Sequence, residues 1–170
     1  MSELKSALGL EFASELESLL SSAAEEVLET MFYSGVFGPG TEGDGPYLSA
    51  GVSFRGSRSG ALNVAAPETT ATALAAAFLG ETVESVPPEQ VPAVIGELAN
   101  VLCGVVLGRV EEGGQFVIAP PQVMWLETGS LARQLEVRRV FELEEGSISV
   151  GLTIDADGDG NIDDSVPGNG

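Results

Sequence analysis

Residues 87–111 read PPEQVPAVIGELANVLCGVVLGRVE. Apolar residues recur here at helical spacing, which predicts the longest helix of the chain, with Pro87 and Pro88 at its start. At about 100° per residue, Val91, Ile95, Leu98, Leu102, Val105 and Val106 fall on one side and make a core face. Glu97, Asn100, Gly104 and Glu111 fall together on another side, with Ala93 and Gly108 close by. Residues three apart are neighbours on a helix surface, so the Glu97 carboxylate and the Asn100 carboxamide project side by side. Asn is a poor helix former, and each interior Gly costs about 1 kcal/mol relative to Ala. Several such choices on one face suggest that the face has a use. A solvated polar stripe, or small residues that let another helix pack tightly, explains the same residues without a function. E-x-x-N is also a common spacing.

Working outward, residues 11–34 carry Leu16, Leu19, Leu20, Ala23, Val27 and Met31 at helical spacing, and a Gly/Pro-rich loop is expected over 35–46. YLSAGVSFRGSRSGALNVAAP, from Tyr47, reads as two strands joined by a short turn. Pro67 is placed to open a second helix that ends near Gly80. Beyond residue 111 come three strand-like runs, FVIAPPQVMWLE, LARQLEVRRVFELE and SISVGLTID. Pro120 and Pro121 interrupt the first, and EEGS makes a hairpin turn between the last two. The order α-β-β-α-α-β-β-β predicts an α+β fold, a mostly antiparallel sheet packed with long helices. The expected division is a single domain over 1–155 and an acidic Gly/Asp-rich tail over 156–170.

Composition narrows the function. The 170 residues suit one domain, and 44% hydrophobic content is ordinary for a globular chain. The formal net charge of −19, with only 7 Lys and Arg, argues against nucleic acid and against anionic membrane surfaces. Histidine is absent, which removes His-based triads and His metal sites. One cysteine, Cys103, precludes an intrachain disulfide and reads as packing. The N-terminus is too polar for a signal peptide and no apolar run approaches about 18 residues, so a cytoplasmic location is expected.

The ordered features SFRGSRSGALNV, a helix ending FLGE, E-x-x-N-x-x-x-G and VIAPPQVMW resemble the CheX-like chemotaxis phosphatases, relatives of CheC and FliY. The resemblance covers roughly residues 47–155. It implies a CheC-like fold, a homodimer, and hydrolysis of the aspartyl phosphate on a CheY-like response-regulator receiver domain. In such a reaction Glu97 grips the receiver's lysine and Asn100 orients the attacking water. The chain itself then binds no cofactor, because the phosphorylated receiver supplies Mg²⁺. In the first helix, Glu26-Val-Leu-Glu29 stands where a second site would need Asn, so one site per chain is implied. Family members often carry an acidic residue just upstream of the motif, where this chain has Val91 and Pro92; that departure bears on partner recognition.

Two other readings stay open. A non-catalytic module on the same fold would dock a receiver or another signalling protein. A calcium-responsive protein would use Asp155, Asp157, Asp159 and Asp163, which follow D-x-D-x-D-G, although Val166 replaces the bidentate Glu that closes such a loop. Met124 and Trp125 are expected in the core, and Arg133, Arg138 and Arg139 are expected to pair with glutamates.

Overall fold

The computed structural model describes residues 2–41, 43, 45–127 and 137–154, with side chains from residue 14 onward. The acidic tail, its Asp-rich loop and Arg133 lie outside the described residues. The expected helices form as α1 (Ser2–Met31), α2 (Glu68–Leu79) and α3 (Gln90–Val110), with a short 3₁₀ turn at Val83–Ser85. The strands are β1 (Val36–Pro39), β2 (Tyr47–Gly56), β3 (Gly60–Pro67), β4 (Phe116–Ile118), β5 (Gln122–Leu126), β6 (Val137–Leu143) and β7 (Gly146–Ile154).

Among the described residues all strand pairs are antiparallel, in the order β1-β6-β7-β3-β2-β4, with β5 also on β2. Alternation decides which face is which. Leu48, Ala50, Val52 and Phe54 of β2, Leu62, Val64 and Ala66 of β3, and Ile148, Val150, Leu152 and Ile154 of β7 are all buried. Against these side chains pack Leu16, Leu20, Ala23, Val27 and Leu28 of α1, Leu74 of α2 and Ile95, Leu98, Leu102 and Val106 of α3. Burying each large aliphatic side chain contributes roughly 1.5–3 kcal/mol, so this one core stabilises both layers. α1 packs on α3 and β6, α2 on α3, β3 and β7, and α3 on β2, β3 and β5.

The local signals act as their chemistry requires. Gly80 closes α2 with φ 71°, a left-handed conformation that glycine adopts without steric cost. Glu81 N–H then donates to the Ala76 carbonyl at 2.9 Å. The β6–β7 hairpin turns at Glu144–Glu145, where Leu143 pairs with Gly146.

Three expectations need correction. Residues 36–39, inside the expected loop, form strand β1 by pairing with β6. Prolines cannot donate to a sheet ladder, so the run around Pro120–Pro121 divides into β4 on Phe54–Gly56 and β5 on Tyr47–Gly51. Met124 and Trp125 are therefore on an edge strand, and each is 49% exposed. Finally, α3 is long and apolar enough to cross a membrane, contrary to the composition reading. Val91, Val94, Ile95, Leu98, Leu102, Val106 and Leu107 of this helix are buried in the core just described, and the core helix of a globular protein passes the same test.

Candidate functional site

The site is carried by α3, and its first turn is built by proline. Pro87 and Pro88 precede the helix, and Gln90 N–H donates back to the Pro87 carbonyl at 2.9 Å. Pro92 sits in the first turn, where a backbone N–H would have no partner within the helix to lose. From there Val91, Val94, Ile95, Leu98, Ala99, Leu102, Cys103, Val106 and Leu107 turn into the core. Val105, expected among them, is only half-buried.

That packing fixes what remains outside. Glu97 is exposed and Asn100 half-buried, one turn apart, with Ala93, Gly104 and Gly108 exposed on the same side. Among the described residues, neither Glu97 nor Asn100 has a hydrogen-bond or ion-pair partner. The helix thus presents a carboxylate and an amide together, flanked by residues too small to obstruct an approaching surface. Such a pair can accept a cation and hold one water; it has no nucleophile and no metal cage. Among the described residues, no group of three or more His, Cys, Asp or Glu is placed to hold a metal ion.

Glu111 was expected on this face and is not part of it. The backbone leaves the helix at Glu111 (φ −146°), and its carboxylate meets Arg58 Nε of the β2–β3 turn at 3.4 Å. On α1, Glu26 and Glu29 are exposed, but Glu26 pairs with Arg109 of α3. Of the three late arginines, Arg139 meets a glutamate as expected, Glu17 at 3.7 Å. Cys103 is fully buried, and burial pushes its thiol up to about 12, so it is a packing residue with no thiolate to offer.

Sequence spacing missed one neighbour of the pair. Gly96 lies against β5: a Cβ there would stand 3.2 Å from Val123 Cγ2 and 3.4 Å from Pro121 Cγ. The only signal available was an interior helical glycine next to Glu97. On the far face of the sheet, a cleft of about 330 Å³ is lined by Ser49, Gly51, Asn63, Gln122 and Met124 among others. Ser49, Gly51 and Asn63 alternate along their strands with the core residues Leu48, Ala50, Val52, Leu62 and Val64, and neither Glu97 nor Asn100 lines this cleft.

A family model described as chemotaxis phosphatase CheX matches residues 48–141, more than half of the chain and including both site residues. No curated protein matches. A crystal structure of the chemotaxis protein CheX from Vibrio vulnificus has TM-score 0.68 at 20% identity, covering 84% of this chain and 98% of that one. CheX from Desulfovibrio desulfuricans gives 0.64 at 20% identity, with 83% and 99% covered. A CheX–CheY–BeF3–Mg²⁺ complex from Borrelia burgdorferi gives 0.59 at 20% identity, with 81% and 96% covered. At these identities the similarity to the solved structures establishes the α+β fold.

Proposed function

This chain belongs to the CheX family of chemotaxis phosphatases, and we propose that it hydrolyses the aspartyl phosphate of a CheY-like receiver domain through Glu97 and Asn100. The observation that carries the proposal is the unpartnered carboxylate–amide pair on an open helix face, inside the segment that the family model matches. The complex of a related CheX with CheY supports a receiver as the partner.

The chemistry follows from what each side chain can do. The Glu97 carboxylate meets an ammonium of the receiver, in an interface dry enough for a charge-assisted contact to exceed its value in water. The Asn100 carboxamide has both donor and acceptor atoms, so it holds a water in line with the phosphorus without needing a shifted pKa. Water oxygen bonds to phosphorus as the bond to the aspartyl oxygen breaks. The receiver regains its carboxylate, and both hydrogens of the water leave with inorganic phosphate. Mg²⁺ bound by the receiver carries the developing charge on the phosphoryl oxygens, which leaves positioning as this chain's contribution. A homodimer and a cytoplasmic location belong to the same proposal.

The competing reading is a docking module without catalysis. Turnover separates the two. With the chain at one-twentieth of the concentration of phosphorylated, Mg²⁺-loaded receiver, the catalytic reading expects the whole receiver pool to lose phosphate faster than it does alone. A docking module leaves that rate unchanged while still binding.

A further inference from the structure

We propose that Gly96 is a positioning residue, which seats α3 on Pro121 and Val123 of the sheet edge and thereby sets where Glu97 and Asn100 stand. The inference rests on the catalytic reading above and adds a residue to it. Three observations meet at this position. Gly96 is buried in the interior of α3, immediately before Glu97 and one turn before Asn100. An added Cβ would lie 3.2 Å from Val123 Cγ2, 3.4 Å from Pro121 Cγ and 3.5 Å from Pro121 Cβ, so the helix or its neighbours must give by a few tenths of an ångström. Gly104 and Gly108, on the same helix, have nothing within 4 Å of the corresponding position.

The contrast separates a required glycine from a tolerated one. Ala is the better helix former at an interior position, so local propensity works against Gly96 and the contact with β5 works for it. The neighbours on the sheet side are poorly placed to yield. The ring of Pro121 fixes its own φ, and Val123 is a stiff β-branched side chain held by the pairing of β5 with β2. Displacement therefore falls partly on α3. A shift of about 1 Å in a positioned group can cost roughly 100-fold in rate, so a few tenths is expected to cost about three- to tenfold.

The test compares wild type, Gly96→Ala, and Gly96→Ala combined with Val123→Ala, which removes the nearest obstructing methyl. Three quantities are measured for each: receiver dephosphorylation kcat and KM, thermal midpoint, and the ¹H–¹⁵N position of the Asn100 side-chain amide. The expected result for Gly96→Ala is a kcat lowered about three- to tenfold with KM within about twofold, at an unchanged or higher midpoint. Its Asn100 amide signal moves, and the double variant returns both kcat and the signal toward wild type. Wild-type kcat and an unmoved Asn100 signal in Gly96→Ala would overturn the inference, as would a loss that Val123→Ala does not relieve. If the wild type is inactive, the catalytic reading fails by itself. The amide signal then still decides whether Gly96 sets the position of Asn100.

Discussion

Arg109, near the end of α3, reaches across to α1, where its guanidinium pairs with the Glu26 carboxylate and its Nη1 donates to Ser22 Oγ at 3.0 Å. Glu26 opens the α1 segment whose spacing parallels the Glu97–Asn100 pair, so the two carboxylates are in opposite situations. Glu26 is satisfied within the chain, whereas Glu97 has no partner among the described residues. Glu97 is thus open to a cation from outside, whereas Glu26 already holds one from within the chain.

The first prediction follows from that asymmetry. Arg109→Gln and Glu26→Gln are expected to leave receiver affinity within about twofold and to change stability by less than about 1 kcal/mol, because the pair is solvent-exposed. Titration of receiver binding and urea denaturation of both variants check this. A large loss of affinity in Glu26→Gln would place α1 in the docking surface.

Glu97 should behave differently. A hydrogen bond to a charged group contributes about 1.5–3 kcal/mol, so Glu97→Gln is expected to weaken binding to an activated receiver by roughly 10- to 100-fold. Added salt should weaken wild-type binding and leave the variant comparatively insensitive, since the screened attraction is the one removed. Equal salt slopes for the two proteins would contradict the pairing.

Between the two site residues, Leu98 turns inward and is 1% exposed. Leu98→Ala leaves a cavity beneath the motif and should destabilise the domain by about 2–5 kcal/mol. Equilibrium unfolding checks the magnitude. A cost below about 1 kcal/mol would mean that α3 is less firmly packed than its burial indicates.

Cys103 carries a pH prediction whose sign is set by burial. Its native value is raised from 9.0 to about 12, so the native state holds the thiol proton over a range where the unfolded chain has released it. Stability from this group is complete below pH 9 and declines as pH rises toward about 12, by up to about 1.4 kcal/mol per pH unit. Denaturation of wild type and Cys103→Ala across pH 8–11 should therefore give wild type the steeper decline. Native Cys103 should also resist alkylation that proceeds readily in urea.

The parts of this molecule legible in the sequence are those written in local chemistry. Pro67, Gly80 and Pro87–Pro88 punctuate the helices, the EEGS turn closes β6 on β7, and the spacing of Val91, Ile95, Leu98 and Leu102 orients α3. The rest depended on partners far along the chain. β1 is a strand because β6, about 100 residues later, pairs with it; VFGP alone carries Gly and Pro as a loop would. Met124 and Trp125 have the composition of a core strand, but composition does not say whether a strand is central or at an edge. Arg109 and Glu26 are 83 residues apart and Gly96 meets Val123 through tertiary packing, so neither relation leaves a trace in helical spacing. The Glu97–Asn100 pair was legible because both residues belong to one helix.

The role of Asn100 is tested by single-turnover loss of phosphate from a Mg²⁺-loaded receiver, with wild type and Asn100→Ala each present in saturating excess. Binding to a BeF3-treated receiver is measured in parallel. Losing a positioning group from a preorganised site typically costs about 10²–10³ in rate, so Asn100→Ala is expected to be slowed on that scale while its affinity stays within about twofold of wild type. A variant that matches a fast wild type would remove Asn100 from the chemistry. A wild type that binds the receiver without accelerating phosphate loss would make this chain a docking module.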